Sequence, residues 1–252
     1  MDAGTWFIQR NAWQVMALGL VFFGALYCLG GWGMSALTRT LARLGMGRPL
    51  DTRPLKPDQL RREWRQSFHS VLVFGLGTIV PWGFLQLGWA HLTPTASAGR
   101  IALEIFVLLI WNDVHFWINH RLLHTRRLVR FHGDHHRSVV TTPWSTYSFH
   151  PIEAMMLGNI ILLPMLVHDF YFWSLASVPV LSLLLNVIGH ANYDFFPGVS
   201  NEHPLAASRR HHLHHARPAG NYGFALAFMD KIMRTQVKTA PVQAPQAPHS
   251  AH

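Results

Sequence analysis

Eight histidines fall into three clusters whose spacing matches the turn of an α-helix. Residues 111–136 read WNDVHFWINHRLLHTRRLVRFHGDHH. His120 and His124 are four apart, so on a helix both imidazoles lie on one face. His132, His135 and His136 take positions i, i+3 and i+4, and His211, His214 and His215 repeat that spacing. Neutral imidazole nitrogens, aimed the same way from stiff backbone, are what a bound metal ion needs. A lone histidine is more often an ordinary surface or core residue. Three clusters in one apolar chain are read as a metal site. Their spaced, internal positions exclude a histidine tag.

The elements that position them are apolar. The chain has 252 residues, 50% hydrophobic and only 13% charged, where soluble domains carry about 25% charged residues. Five apolar runs stand out: residues 13–31, 70–90, 101–118, 152–167 and 170–188. The first is uncharged, long enough to cross a bilayer, and lacks the basic start and cleavage site of a signal peptide. The fourth is short, rising ~24 Å against a hydrocarbon core of ~30 Å. With Pro164 and Pro179 nearby, runs four and five suggest a kinked or partial hairpin, and Pro81-Trp82-Gly83 predicts a bend in run two. The expected fold is all-α: a polytopic membrane bundle of four to five membrane helices with a cytoplasmic, histidine-rich helical cap. It forms a single domain over residues 1–235. The Pro-, Ala- and Gln-rich tail 236–252, with His249 and His252, reads as disordered.

Positive charge gives the orientation. Residues 32–68 hold Arg39, Arg43, Arg48, Arg53, Lys56, Arg61, Arg62 and Arg65, whereas 91–99 hold no Lys or Arg. The connection after run one is therefore cytoplasmic. Runs three and five then deliver all the histidine clusters to that same side. Residues 39–68 also mix arginine with Leu, Trp64 and Phe68, the pattern of an amphipathic helix on the membrane surface, with an ordinary connecting loop as the alternative. The net charge of +9 sits at membrane flanks, so a nucleic-acid partner is not implied. The one cysteine, Cys28, excludes a disulfide framework within the chain and a cysteine-built zinc or iron–sulfur site.

Several residues are candidates to orient the ligands. Asp113 precedes His120 by seven and shares its helix face; an acid there accepts the second ring N–H of a metal-bound histidine, or is a helix-end charge. His150, before Pro151, is a ligand, an orienting donor or a cap residue. Asn192 follows His190 at the end of run five. Trp111, Phe116, Trp117, Trp144, Tyr147 and Phe149 are candidates for a lipid cleft, with plain packing as the alternative. Glu153 stands in the first turn of run four, where the helix dipole favours an acid. His168 belongs at the opposite turn, and His69, His91 and His203 have no partner spacing.

Taken in order, HRLLH at 120–124, HxxHH at 132–136, FHPIE at 149–153, GHAN at 189–192, HHLHHA at 211–216 and NYGFAL at 221–226 carry a resemblance. Over residues 100–235 the chain resembles the fatty acid hydroxylase/sterol desaturase superfamily of integral membrane di-iron oxygenases. Where that family usually has Trp-Asp and then Gly-Thr, this chain has Met229-Asp230 and Arg234-Thr235. The resemblance implies metal ligation by His120, His124, His132, His135, His136, His190, His211, His214 and His215. It also implies two iron ions, with O2 as co-substrate, hydroxylating or desaturating a lipid. Spacing alone leaves the metal open, because imidazole suits zinc, copper, iron and nickel.

The sequence has no flavin, nicotinamide, haem or iron–sulfur motif, so electrons would come from an external carrier of ferredoxin or cytochrome type with its reductase. An acidic carrier would meet a basic face of Arg126, Arg127, Arg130, Arg209 and Arg210. Two rivals remain. A metal-handling membrane protein or transporter would want ligands near the bilayer midplane on broken helices. A zinc hydrolase would want a motif such as H-E-x-x-H, which is absent.

Overall fold

A computed structural model describes residues 1–237; the tail from 238, with His249 and His252, lies outside the described residues. The chain begins with a short helix α1 (Ala3–Ile8) and the long α2 (Ala12–Arg43), opened by a reciprocal cap between Asn11 and Gln14. A two-residue strand β1 (Arg48–Pro49) precedes α3 (Gln59–Gly77), which runs into α4 (Ile79–Gln86). After β2 (Leu92–Thr93) come α5 (Ala98–Leu123) and α6 (Val129–His136). A 3-10 turn at Pro143–Tyr147 leads to α7 (Pro151–Gly158) and α8 (Leu162–Val167). Then follow β3 (Phe170–Tyr171), α9 (Phe172–Gly189), β4 (Tyr193–Asp194), α10 (Ala207–Ala216) and α11 (Phe228–Ile232). The strands only clasp loops: β1 pairs antiparallel with β4, and β2 parallel with β3.

Four stretches are long and apolar enough to cross a membrane: Ala12–Arg43, Gln59–Gln86, Ala98–Leu123 and Phe172–Gly189. The fourth apolar run is the shorter Pro151–Val167, broken between α7 and α8. The protein is therefore an all-α polytopic bundle. Run two is interrupted at Thr78, between α3 and α4, just before Pro81. Proline has no N–H to return to the carbonyl four residues back, so the ladder fails just after Gly77.

One expectation needs correcting: residues 39–68 do not form one surface helix. Arg39 and Arg43 end α2, residues 44–58 are not helical, and 59–68 are the first turns of α3. Gly45 and Gly47, at φ of 67° and 75°, stop α2. Pro49, Pro54 and Pro57 cannot donate to a new helical ladder.

Close packing fixes the bundle. A Cβ on Gly19 would collide with the carbonyl of Gly75, and one on Gly75 with the backbone of Leu20, so α2 and α3 cross backbone to backbone. The C-terminal ends of α2, α5 and α9 and the N-terminal end of α3 gather at one end of the bundle. There Leu50 N–H donates to the Asn192 carbonyl (3.1 Å). At the other end Arg100 donates to the Asp169 carbonyl (2.7 Å) and to Glu104 (2.8 Å). His168 reaches Glu104 at that same end (3.4 Å).

Candidate metal centre

The histidine clusters meet at the first of these ends, and they meet as two groups. His120, His124, His132, His136 and His214 form one, and His135, His190, His211 and His215 the other. Within each group the candidate ligand atoms lie within 4.8 Å of one another. The groups adjoin, with the rings of His136 and His215 4.8 Å apart. His124 caps α5, His190 caps α9, and α6 and α10 each carry three of the nine.

Hydrogen bonds on the outer ring nitrogens decide which nitrogens face inward. Nδ1 of His120 meets the Tyr222 carbonyl at 2.8 Å, and Nδ1 of His214 meets the Gly220 carbonyl at 2.6 Å. Nδ1 of His190 meets the Asn186 carbonyl at 2.9 Å, and Nδ1 of His135 the Ser148 carbonyl at 3.3 Å. A carbonyl only accepts, so each Nδ1 carries the proton and each Nε2 is a bare lone pair. The lone pairs of His135 and His190 face each other at 3.2 Å, and the bare Nε2 of His214 is 3.1 Å from Nε2 of His136. His120 and His132 approach through Nε2 at 3.1 Å, and His190 and His211 likewise at 3.1 Å.

Two buried lone pairs at this distance repel unless a cation lies between them. Two imidazoles at right angles on one ion, each ~2.1 Å away, stand ~3.0 Å apart. The donor set therefore fits metal ions. Burial reinforces it by disfavouring imidazolium: it pushes His124 down to about 4 and His136 to about 2, with His132, His135, His211, His214 and His215 well below the ordinary value. Neutral imidazole is the metal-binding form.

The surrounding groups differ from the sequence reading in instructive ways. Asp113 does not hydrogen-bond a histidine. Its Oδ1 accepts from the backbone N–H of Ala225 (2.8 Å) and Leu226 (3.4 Å). Asp230 accepts from the N–H groups of Tyr222 (2.9 Å) and Gly223 (2.6 Å) and from the Trp117 indole (3.1 Å). Together they hold the loop whose Gly220 and Tyr222 carbonyls orient His214 and His120. His150 caps α7, its Nδ1 accepting from Ile152 N–H (3.2 Å). Asn192, at φ of 51°, exchanges hydrogen bonds with the backbone of Asp51 (2.9 and 2.8 Å).

The carboxylate that does touch a clustered histidine is Glu153, 2.7 Å from Nδ1 of His132. Its place three residues after His150 in FHPIE was the available signal. Glu63, fully buried, accepts from Ser138 (2.7 Å) and Thr142 (2.6 Å). It thereby pins the chain leaving α6.

The basic face also changes. Arg126, Arg127 and Arg130 are exposed. Arg210 is buried, donating to the carbonyls of Asn201 (2.9 Å) and Ala225 (2.7 Å), and Arg209 pairs with Asp194 (3.2 Å). Arg210 braces α10 from inside, and part-exposed Arg209 is tied down by Asp194.

A cavity of about 290 Å³ lies beside the histidines. Phe116, Tyr147 and Phe149 line it, while Trp111, Trp117 and Trp144 do not. Trp144 instead packs over Gly31. Phe116, Phe149, Leu157 and Asn186 border both this cavity and a narrow space among His120, His132, His135, His190 and His211.

Comparison with known proteins agrees with this geometry. The chain is 25% identical over 191 residues to a Delta(7)-sterol 5(6)-desaturase of Gibberella zeae, covering 69% of this chain and 54% of that one. It is 29% identical over 169 residues to a C-4 methylsterol oxidase of Schizosaccharomyces pombe, covering 64% and 52%. It is 25% identical over 241 residues to a methylsterol monooxygenase of Aspergillus fumigatus, covering 89% and 81%. The chain spans about half the length of the first two. No solved structure gives a significant match. The fatty acid hydroxylase family matches residues 105–235, more than half of the chain and all nine clustered histidines, and the chain belongs to that family.

Proposed function

We propose that the nine histidines hold two iron ions and that the protein oxidises a C–H bond of a membrane lipid with O2, by hydroxylation or desaturation. Iron pairs supply the activation of O2 that an unactivated C–H bond requires. The similarity to sterol desaturases and methylsterol monooxygenases supports a sterol-like or related lipid as substrate. The observation that carries the reading is the convergence of ring Nε2 atoms at 3.1–3.2 Å, with the bare lone pairs of His135 and His190 facing each other at 3.2 Å. Five nitrogens in one group and four in the other leave about three of the roughly twelve positions of two octahedral ions open. A structural site would close them.

The chain's own residues bind, orient and exclude water. Neutral histidines offer Nε2 because the Gly220, Tyr222, Ser148 and Asn186 carbonyls hold the proton on Nδ1. Phe116, Phe149 and Leu157 wall the passage between the cavity and the histidines, keeping water from the reacting carbon. Electrons come from a separate ferredoxin- or cytochrome-type carrier, for which exposed Arg126, Arg127 and Arg130 offer positive charge. The histidine end faces the cytoplasm, because the arginine-rich connection 32–68 lies at that end.

The test is metal analysis of the purified protein together with O2 uptake on lipid extract and a reductant. Two irons per chain and uptake coupled to a product gaining one oxygen or losing two hydrogens are expected. Turnover without O2, or ion movement without oxidation, would overturn the reading.

A further inference from the structure

The cavity contains no charged side chain among its lining residues, yet it is not uniformly apolar. Asn112, only 4% exposed, lines it and makes no side-chain hydrogen bond among the described residues. Close by, His115 and Asn159 also line it but satisfy each other, ring Nε2 to Oδ1 at 2.7 Å. An amide left without a partner in an apolar interior costs stability. Polar side chains inside a membrane bundle mark the path of a ligand.

The cavity itself lies where two helical stretches are interrupted and a third carries a proline. Gly77, Thr78 and Pro81 line it from the α3–α4 break, Gly158 and Leu162 from the α7–α8 break, and Pro179 from within α9. Asn112 stands on α5 eight residues before His120. That is ~12 Å along the helix axis, about the length of a ring system or a ten-carbon segment.

We propose that Asn112 hydrogen-bonds one uncharged oxygen function of the lipid, a hydroxyl or a carbonyl. It thereby sets which carbon, roughly two helical turns away, reaches the histidine end. The amide both donates and accepts, so either function suits it. A carboxylate or phosphate does not belong there, because no lysine or arginine lines the cavity and its imidazole, His115, is already engaged by Asn159. The substrate is thus an oxygenated neutral lipid held by its oxygen, rather than a plain hydrocarbon or a free fatty acid anion. This rests on the cavity being the lipid site of the proposed oxygenase, and it is tested without turnover.

The full chain, purified in detergent without oxygen or reductant, is titrated with matched probes: cholesterol against cholestane, and hexadecan-1-ol against hexadecane. For at least one skeleton the alcohol should bind about tenfold tighter than its hydrocarbon. In Asn112→Leu that preference should fall below about threefold, hydrocarbon binding being unchanged, as loss of one buried hydrogen bond predicts. Equal binding of alcohol and hydrocarbon by the unaltered protein would overturn the proposal. So would a preference that survives Asn112→Leu, or palmitate binding tighter than every alcohol tested.

Should the leucine variant not fold, the unaltered protein still decides. On the skeleton that shows the preference, affinity should peak at one hydroxyl placement (hexadecanols with the hydroxyl at carbon 1, 4 or 8, or cholesterol against its 3α epimer), and a flat series overturns the proposal. Because binding needs neither metal nor O2, failure of the oxygenase reading would leave these results intact.

Discussion

His132 and Glu153 are joined by a hydrogen bond of 2.7 Å between Nδ1 and a carboxylate oxygen, with both side chains buried. The acid accepts the proton of the outer nitrogen and leaves Nε2 to face His120 and His136. Burial raises the Glu153 carboxyl well above the ordinary carboxylate range, so its negative charge is kept only by a cation held on the neighbouring imidazoles. Glu153→Gln keeps the shape and removes the charge. Partners of this kind support metal affinity by about 10- to 100-fold, so the variant should insert normally yet lose iron at chelator concentrations the unaltered protein withstands. Metal analysis after graded dialysis measures it, and unchanged retention would refute the role.

Asp230 makes the second prediction. It accepts from the backbone of Tyr222 and Gly223, from Trp117 and from Thr235. The loop it holds aims the Gly220 and Tyr222 carbonyls at His214 and His120. Asp230→Ala strands several buried donors, each worth about 1–3 kcal/mol. It should lower the unfolding temperature and the metal content together. Asp113→Ala, which releases only Ala225 and Leu226, should cost less of both.

The helices and the clusters were legible because hydropathy and the four-residue spacing are local properties of the chain. Residues 13–31 fall within Ala12–Arg43, and the short fourth run is broken, between Gly158 and Leu162, whereas Pro179 lies inside an uninterrupted α9. What the sequence could not show is which histidine joins which group. On α6, His132 and His136 join one group while the intervening His135 joins the other. At 3.6 residues per turn the outer two lie ~40° apart and His135 about 60–100° from them. Three side chains from one helix therefore straddle two sites, and only the placement of α10 and α9 decides the split. Asp113 misled for a related reason: its helix face points toward His120, but the loop 225–226 lies nearer. Arg210 misled because its burial depends on loops that fold over it, and Arg209 because Asp194 and the carbonyls of Val199 and Phe196 engage it.

The crossing of α2 and α3 gives a prediction about the bundle. Gly19 lies against the backbone at Gly75, and a side chain at either position meets backbone atoms that cannot rotate away. Gly19→Leu should force the helices apart and cost about 1–3 kcal/mol, the range for overpacking. Gly33→Leu, where no atom lies nearby, should cost almost nothing. Thermal unfolding in detergent separates the two.

The uneven division of donors makes the sharpest prediction for the centre. His211 belongs to the group of four and His124 to the group of five. His211→Ala leaves three imidazoles on one side, with the other group complete. His124→Ala leaves four on each side. The first variant should fall to about one metal ion per chain, since octahedral ions held by three imidazoles exchange more readily with water. The second should retain more than the first. Exposed His69 provides the control, and His69→Ala should keep full metal content and product. Loss of product in His211→Ala with metal content unchanged would mean that the two groups do not hold separate ions. Equal metal loss in His211→Ala and His124→Ala would mean the same.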